Sequence, residues 1–168
     1  RTRVLPFAVR IGEAQLAQSR DVVRQRYQLP KRFLYLPNQF WKHKNHMGVV
    51  EALRLCLDRG STVIVIASGG LSDVRNPKYP DEVLALIQHH ALEQNFRVLG
   101  LIPYEDVTAL MRASVAIINP SFFEGWSTTV EEAKALGVPL LLSDLRVHKE
   151  QAPAHCCFFD PSRPEEIA

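Results

Sequence analysis

The feature that most constrains this chain is a regular alternation between short, continuously apolar runs and longer amphipathic segments. The apolar runs cover residues 33–36, 62–68, 97–99, 114–120, 139–144 and 156–160. Their apolar residues follow one another directly instead of alternating with polar ones, which is the pattern of strands buried on both faces. Between them lie "HMGVVEALRLCLDRG", "PDEVLALIQHHALEQN", "EDVTALMRA" and "TTVEEAKALG", with apolar residues at helical spacing. Strands separated by helices build right-handed βαβ units and a parallel sheet. The expected fold is therefore α/β: a Rossmann-like three-layer sandwich with a parallel sheet of about six strands. In such sheets ligands sit beyond the carboxyl ends of the strands, so the loops that follow strands are the places to inspect.

Residues 32–168 form the expected domain, and residues 1–31 a basic, glutamine-containing lead-in packing on its edge, with a weak helical pattern at "AQLAQSRDVVRQRY". The chain lacks an initiator Met, and its first residues, "RTRVLPFAVR", do not read as a secretory leader, so a piece of a longer protein is expected. No apolar run reaches the roughly 18 residues of a membrane span. Twenty basic residues against 18 acidic ones argue against nucleic acid as the main partner. The three cysteines, Cys56, Cys156 and Cys157, are odd in number with two adjacent, which argues against a disulfide framework. They read as reduced, mostly buried thiols of a cytoplasmic protein.

Three loops after strands carry candidate chemistry. The first, "PNQFWKHKNH", puts Lys42 and Lys44 at the mouth of a long helix, where free N–H groups and the helix dipole favour an anion. His43 and His46 have a metal-like spacing, but no cysteine or carboxylate cluster accompanies them, so no metal is expected. The second, "ASGGLSD", has Gly69 and Gly70 directly after a strand, which suits either close approach of a ligand to backbone or a plain tight turn. The chain contains no G-x-G-x-x-G. The third, "PSFFEGWSTTVEEAKALGVP", places Glu124 before a helix starting near Thr128 and Glu132 inside it. N–H groups from about Ser127 to Val130 would face a phosphate with few bulky side chains in the way. Two capping boxes compete with that reading, Thr128-x-x-Glu131 and Thr129-x-x-Glu132. Trp126 reads as a packing residue.

"EGWSTTVEE" resembles the E-x7-E motif of retaining glycosyltransferases of the GT-B fold, with Glu124 and Glu132 as its acids. The wider stretches "PSFFEGWSTTVEEAKALGVPLLLSD" and "LGLIPYEDVTALMRASVAIINPS" are similar to the same family, and "PNQFWKHKNHMGVVEAL" is similar to the phosphate-loop region of its mannosyltransferase-like and rhamnosyltransferase-like members. The resemblance runs from Arg32 onward and implies the C-terminal, donor-binding half of a two-domain enzyme. It implies that Glu124 contacts hydroxyls of the transferred sugar and that Glu132 holds the ribose. The backbone of Gly125, Trp126, Ser127, Thr128 and Thr129 would cradle the diphosphate, neutralised by Lys44. Gly69 would allow close approach, and backbone at Leu101 and Ile102 would read the base. Asp144 and Glu150 fall in segments that would close the site. In place of the arginine expected shortly before the lysine stands Gln39, with Lys42 as a candidate substitute.

The implied reaction is transfer of a hexosyl group from a UDP- or GDP-sugar to a glycan, lipid or other acceptor, with retention and without cofactor or metal. The acceptor would bind the other domain, so the chain alone is expected to transfer little; any contact with a membrane surface would come through that domain. Two alternatives stay open: a non-catalytic binding or regulatory domain with both acids as caps, and a GT-B epimerase or phosphorylase.

Overall fold

The computed structural model describes residues 8–151 and 155–168; the first seven residues of the lead-in lie outside them. The strands are β1 (Leu34–Leu36), β2 (Val65–Ala67), β3 (Phe96–Val98), β4 (Ala116–Asn119), β5 (Leu140–Ser143) and β6 (Cys156–Phe159). All pair in parallel, in the spatial order β3-β2-β1-β4-β5-β6. The order reverses between β1 and β4, so the crossovers leave in opposite directions there and open a crevice at the carboxyl ends of those two strands.

The helices are α1 (Glu13–Ala17), α2 (Arg20–Arg26), α3 (His46–Asp58), α4 (Tyr79–His89), α5 (Tyr104–Ala113), α6 (Thr128–Leu136), α7 (Arg146–Gln151) and α8 (Pro164–Ile167). They cover the sheet with two apolar cores. One gathers Val23, Tyr35, Ile66, Leu110, Ile117, Val130 and Leu140; the other gathers Leu36, Val50, Leu53, Val83, Phe96 and Ile118. The alternation of contributing residues along β1, Tyr35 to one core and Leu36 to the other, is the two-faced burial that continuous apolar strands require.

Several elements differ from the sequence reading. The helix expected through residue 95 stops at His89, because the chain turns at Ala91 with φ 53° and the Leu92 N–H returns to the Ile87 carbonyl. β6 is an edge strand, with Cys157 and Phe158 exposed. The thiols are accordingly not mostly buried: on β6 Cys156 is partly exposed and Cys157 exposed, Cys56 on α3 is partly exposed, and no disulfide joins them. The lead-in forms two helices instead of one, broken at Gln18, with Ser19 accepting from the Val22 N–H as the cap of α2.

The described part of the lead-in lies along α5 and is held there by one buried acid. Asp106, only 1% exposed, accepts both hydrogen bonds of a forked contact from Arg26 (2.8 and 2.7 Å), one from Tyr27 (2.6 Å) and one from Gln18 (2.9 Å). Burial works to raise the Asp106 pKa, but the bonds from Tyr27, Gln18 and Arg26 win and hold it below the ordinary carboxylate range. Arg97 adds contacts to the carbonyls of Tyr27 and Gln28.

The loops after β1, β2 and β3 are tied edge to edge. The Gly69 N–H donates to the Gly100 carbonyl, and the Phe40 N–H to the Gly70 carbonyl. Gly69 has φ 151°, and a Cβ there would fall 2.2 Å from the Asn38 carbonyl oxygen. Close approach of backbone to backbone is thus what the glycine permits.

Asp106→Ala should lower stability by about 2 kcal/mol in urea denaturation, since it strands three donors at once. Because its folded pKa is depressed, the Asp106 contribution is present above the ordinary carboxylate pKa near 4 and is lost as pH falls through the lower folded value. The variant should therefore show a shallower acid-side loss of stability. Gly69→Ala should cost at least about 2 kcal/mol, because the obstacle is backbone and cannot rotate away.

Candidate functional site

A cavity of about 420 Å³ opens at the carboxyl ends of the strands, against the β1/β4 crevice. The loop after β1 contributes Asn38, Gln39, Trp41 and Lys44; the turn after β2 contributes Ser68 and Gly69. Leu101 and Ile102 come from the loop after β3, Tyr104, Val107 and Met111 from α5, and Thr128, Thr129 and Glu132 from α6. Lys44 and Glu132 are the charged residues of the lining, and the Tyr104 phenol lies against Glu132.

Residues 42–44 form a 3₁₀ turn, and Asn45, at φ 56°, caps α3 by accepting from the Gly48 N–H. The turn is pinned to the loop after β4 by the Phe122 N–H donating to the His43 carbonyl, and by Asn45 Nδ2 donating to the Pro120 carbonyl. This brings Lys44 to Glu124, 80 residues away: Nζ lies 2.7 Å from Oε1, with the side chains only 13% and 8% exposed. Ser121 Oγ also donates to Glu124 Oε1 (2.7 Å) and contacts Asn119 Oδ1 (2.8 Å). Glu124 therefore lies behind Lys44, off the cavity lining, as a counter-charge supported by a polar base.

Lys42 points elsewhere. Its side chain is exposed and lines a separate depression with Asn76, Pro77 and Lys78, while its N–H donates to the buried Asp73. The expectation that Lys42 stands in for the missing arginine is thus corrected: a 3₁₀ turn places consecutive side chains about 120° apart, so the two lysines diverge. Gln39 does line the cavity, where its Oε1 accepts from the Gly70 N–H (2.7 Å).

At the start of α6 the cap is Ser127, whose Oγ accepts from the Val130 N–H. Its own N–H and carbonyl are both held by Gln151 of α7, a 3% exposed residue that also donates to Glu131. The run of free N–H groups from Ser127 to Val130 is therefore shorter than expected. Those of Thr128 and Thr129 remain, without a partner among the described residues, and both threonines line the cavity. Gly125, Trp126 and Ser127 lie outside the lining; Trp126 is half-buried, with an indole N–H lacking a partner among the described residues.

Neither capping box forms. Glu131 pairs with Lys134 and Gln151, and Glu132 reaches across to α5, where Tyr104 Oη donates to Oε1 at 2.6 Å. Ser127 wins the cap because it sits at the extended residue before the first turn, where an oxygen can meet the third N–H. Burial pushes the Glu132 carboxyl above its usual range, and the Tyr104 bond pulls it part of the way back. Burial, then the Glu132 carboxylate, push the phenol up to about 12.

Asp144 and Glu150 are exposed and paired with Lys149 and Arg146, away from the cavity. His43 and His46 do not share a site: His46 is buried and stacked on Phe40 at 4.0 Å, its pKa driven down to about 3 by burial, whereas His43 sits beside Trp41. Among the described residues no cluster of three His, Cys, Asp or Glu could hold a metal ion. Reasoning from the sequence missed Tyr104 and Gln151. Tyr104 directly follows the loop after β3 and could have been flagged by position; Gln151 has no local signal.

The chain was compared with known proteins. Residues 19–168 match the family described as glycosyl transferases group 1. The O-antigen chain mannosyltransferase B of Escherichia coli is 31% identical over 104 residues, which cover 61% of this chain and 26% of that protein. The structure of HepE from Anabaena in complex with UDP superposes with a TM-score of 0.77 at 20% identity, over 88% of this chain and 40% of that one. The C-terminal domain of the group 1 glycosyl transferase LpcC from Francisella tularensis gives 0.74 at 17% identity, over 90% and 79%. This chain thus spans about a quarter of the curated relative and two fifths of HepE, and shares the Rossmann-like α/β fold with both solved structures. The family match covers most of the chain, and the chain belongs to the group 1 glycosyl transferases.

Proposed function

We propose that the cavity at the β1/β4 crevice binds the nucleotide portion of a UDP- or GDP-sugar, and that the chain is the donor-binding part of a retaining hexosyltransferase. The carrying observation is the polarity of the cavity. Its lining combines an ammonium and free backbone donors, Lys44 and the N–H groups of Thr128 and Thr129, with a carboxylate, Glu132, held by Tyr104. A nucleoside diphosphate presents the matching groups, a phosphate end and a hydroxyl-bearing ribose. That HepE was solved in complex with UDP, and in a second structure with UDP and glucose, supports the reading.

Departure of the nucleoside diphosphate develops negative charge on its terminal phosphate. Lys44 and the α6 N-terminus are preorganised to stabilise it. Lys44 is paired with Glu124 at 2.7 Å. An incoming diphosphate competes for that ammonium and loosens the carboxylate, which then becomes available to hydroxyls of the transferred sugar. Mannosyl or rhamnosyl-like transfer in polysaccharide assembly is the substrate reading we favour, on the strength of the mannosyltransferase relative. The acceptor domain, absent from this chain, would complete the enzyme. A cytoplasmic setting suits a donor of this kind; no described helix is long and apolar enough to cross a membrane.

Calorimetric titration with UDP and GDP tests the proposal. Lys44→Ala should weaken the preferred nucleotide by roughly 10- to 100-fold, whereas Lys42→Ala should leave it within about twofold. Absence of binding by both nucleotides, or equal losses from the two lysine variants, would remove the proposed site.

A further inference from the structure

We propose that Tyr104 is a positioning residue that sets Glu132 to receive the cis-diol of a ribose, and so makes the cavity discriminate ribonucleotides from 2′-deoxyribonucleotides. The inference rests on the donor-site reading and adds to it a residue and a selectivity.

Tyr104 opens α5 and Glu132 lies in the second turn of α6, and both line the same cavity. The phenol donates to Oε1 at 2.6 Å, and this is the sole hydrogen bond or ion pair of Glu132 among the described residues. Among the described residues no cation pairs with the carboxylate. Without the phenol, a Glu side chain with three rotatable bonds and one partly buried end has nothing to select a rotamer.

The phenol is itself fixed from behind. Thr108 Oγ1 donates to the Tyr104 carbonyl (3.2 Å), and two residues on, Asp106 locks the same turn of α5 to Arg26, Tyr27 and Gln18. A chain of short contacts therefore runs from the lead-in through α5 to the acid on α6.

The chemistry of a so-placed carboxylate is narrow. It accepts only, and with Oε1 engaged by one donor it keeps Oε2 and a second lone pair of Oε1 open. Vicinal hydroxyls supply two donors at the spacing of two carboxylate oxygens. A 2′-deoxyribose supplies one and leaves a partly buried anionic acceptor short of a donor, which is a penalty rather than a neutral loss. A carboxylate free to swing would meet either sugar by readjusting and would discriminate less.

The test is a set of titrations of the chain with UDP and 2′-deoxy-UDP, and with GDP and 2′-deoxy-GDP, repeated for Tyr104→Phe and Glu132→Gln. The unsubstituted chain should favour the ribonucleotide by about tenfold. Tyr104→Phe should weaken the ribonucleotide by roughly three- to tenfold while leaving the deoxynucleotide nearly unchanged. The ratio then falls toward that of Glu132→Gln. Tyr104 is 42% exposed, so its substitution should leave thermal melting unchanged; the ratio of affinities would in any case not move through a loss of folded protein. A ratio that survives Tyr104→Phe and falls in Glu132→Gln overturns the role of the phenol. Equal binding of both sugars by the unsubstituted chain overturns the diol reading and leaves the diphosphate site standing. Failure of every nucleotide to bind removes the donor-site reading and this inference together.

Discussion

A parallel sheet whose strand order reverses once has to leave a gap on its carboxyl edge, and the rest of this structure is arranged around that gap. Between β1 and β4 the crossovers diverge, so no helix covers the strand ends. The exposed backbone there needs partners. They come from the two bordering loops themselves: the Phe122 N–H donates to the His43 carbonyl and Asn45 Nδ2 to the Pro120 carbonyl, while the side chains of Asn38, Asn119 and Ser127 link up beside them. These bonds fix the 3₁₀ turn that carries Lys44 against the segment that carries Glu124. The functional groups are therefore positioned by the same contacts that solve a backbone hydrogen-bonding problem.

Charge is used sparingly in this crevice. One lysine faces the cavity, and its charge is balanced by an acid set behind it instead of beside it. A buried pair of this kind contributes little net stability but is costly to leave half-made. It holds Lys44 in place at the cavity wall. Glu132 is treated differently, with a phenol in place of a cation among the described residues. The cavity is thereby lined by two charged residues held in unlike ways.

The strands were legible because two-sided burial writes itself as unbroken apolar residues, and all six appear where those runs predict. Lys44 and Glu132 drew notice because they lie just before or just inside helices that follow strands, and both line the cavity, whereas Glu124 lies behind Lys44. What stayed hidden depends on distance. Whether Ser127 or Thr128 caps α6 is a matter of one backbone dihedral, and the choice decides the fate of Glu131 and Glu132 alike. The divergence of Lys42 from Lys44 follows from a turn type that "WKHKN" does not announce. Gln151 grips Ser127 from 24 residues downstream, and Tyr104 meets Glu132 across 28, contacts that no local periodicity records.

Asp106 gives the domain a border that the sheet alone would not suggest. Every strand lies after residue 33, so a fragment trimmed to start there would keep its β-layer complete. It would also carry a sealed-in carboxylate on α5 with Arg26, Tyr27 and Gln18 cut away, directly beneath the residues that wall the cavity. The edge of the binding wall is therefore marked out by electrostatics at one helix, and the earliest of the groups gathered on Asp106 is a glutamine sixteen positions ahead of the first strand.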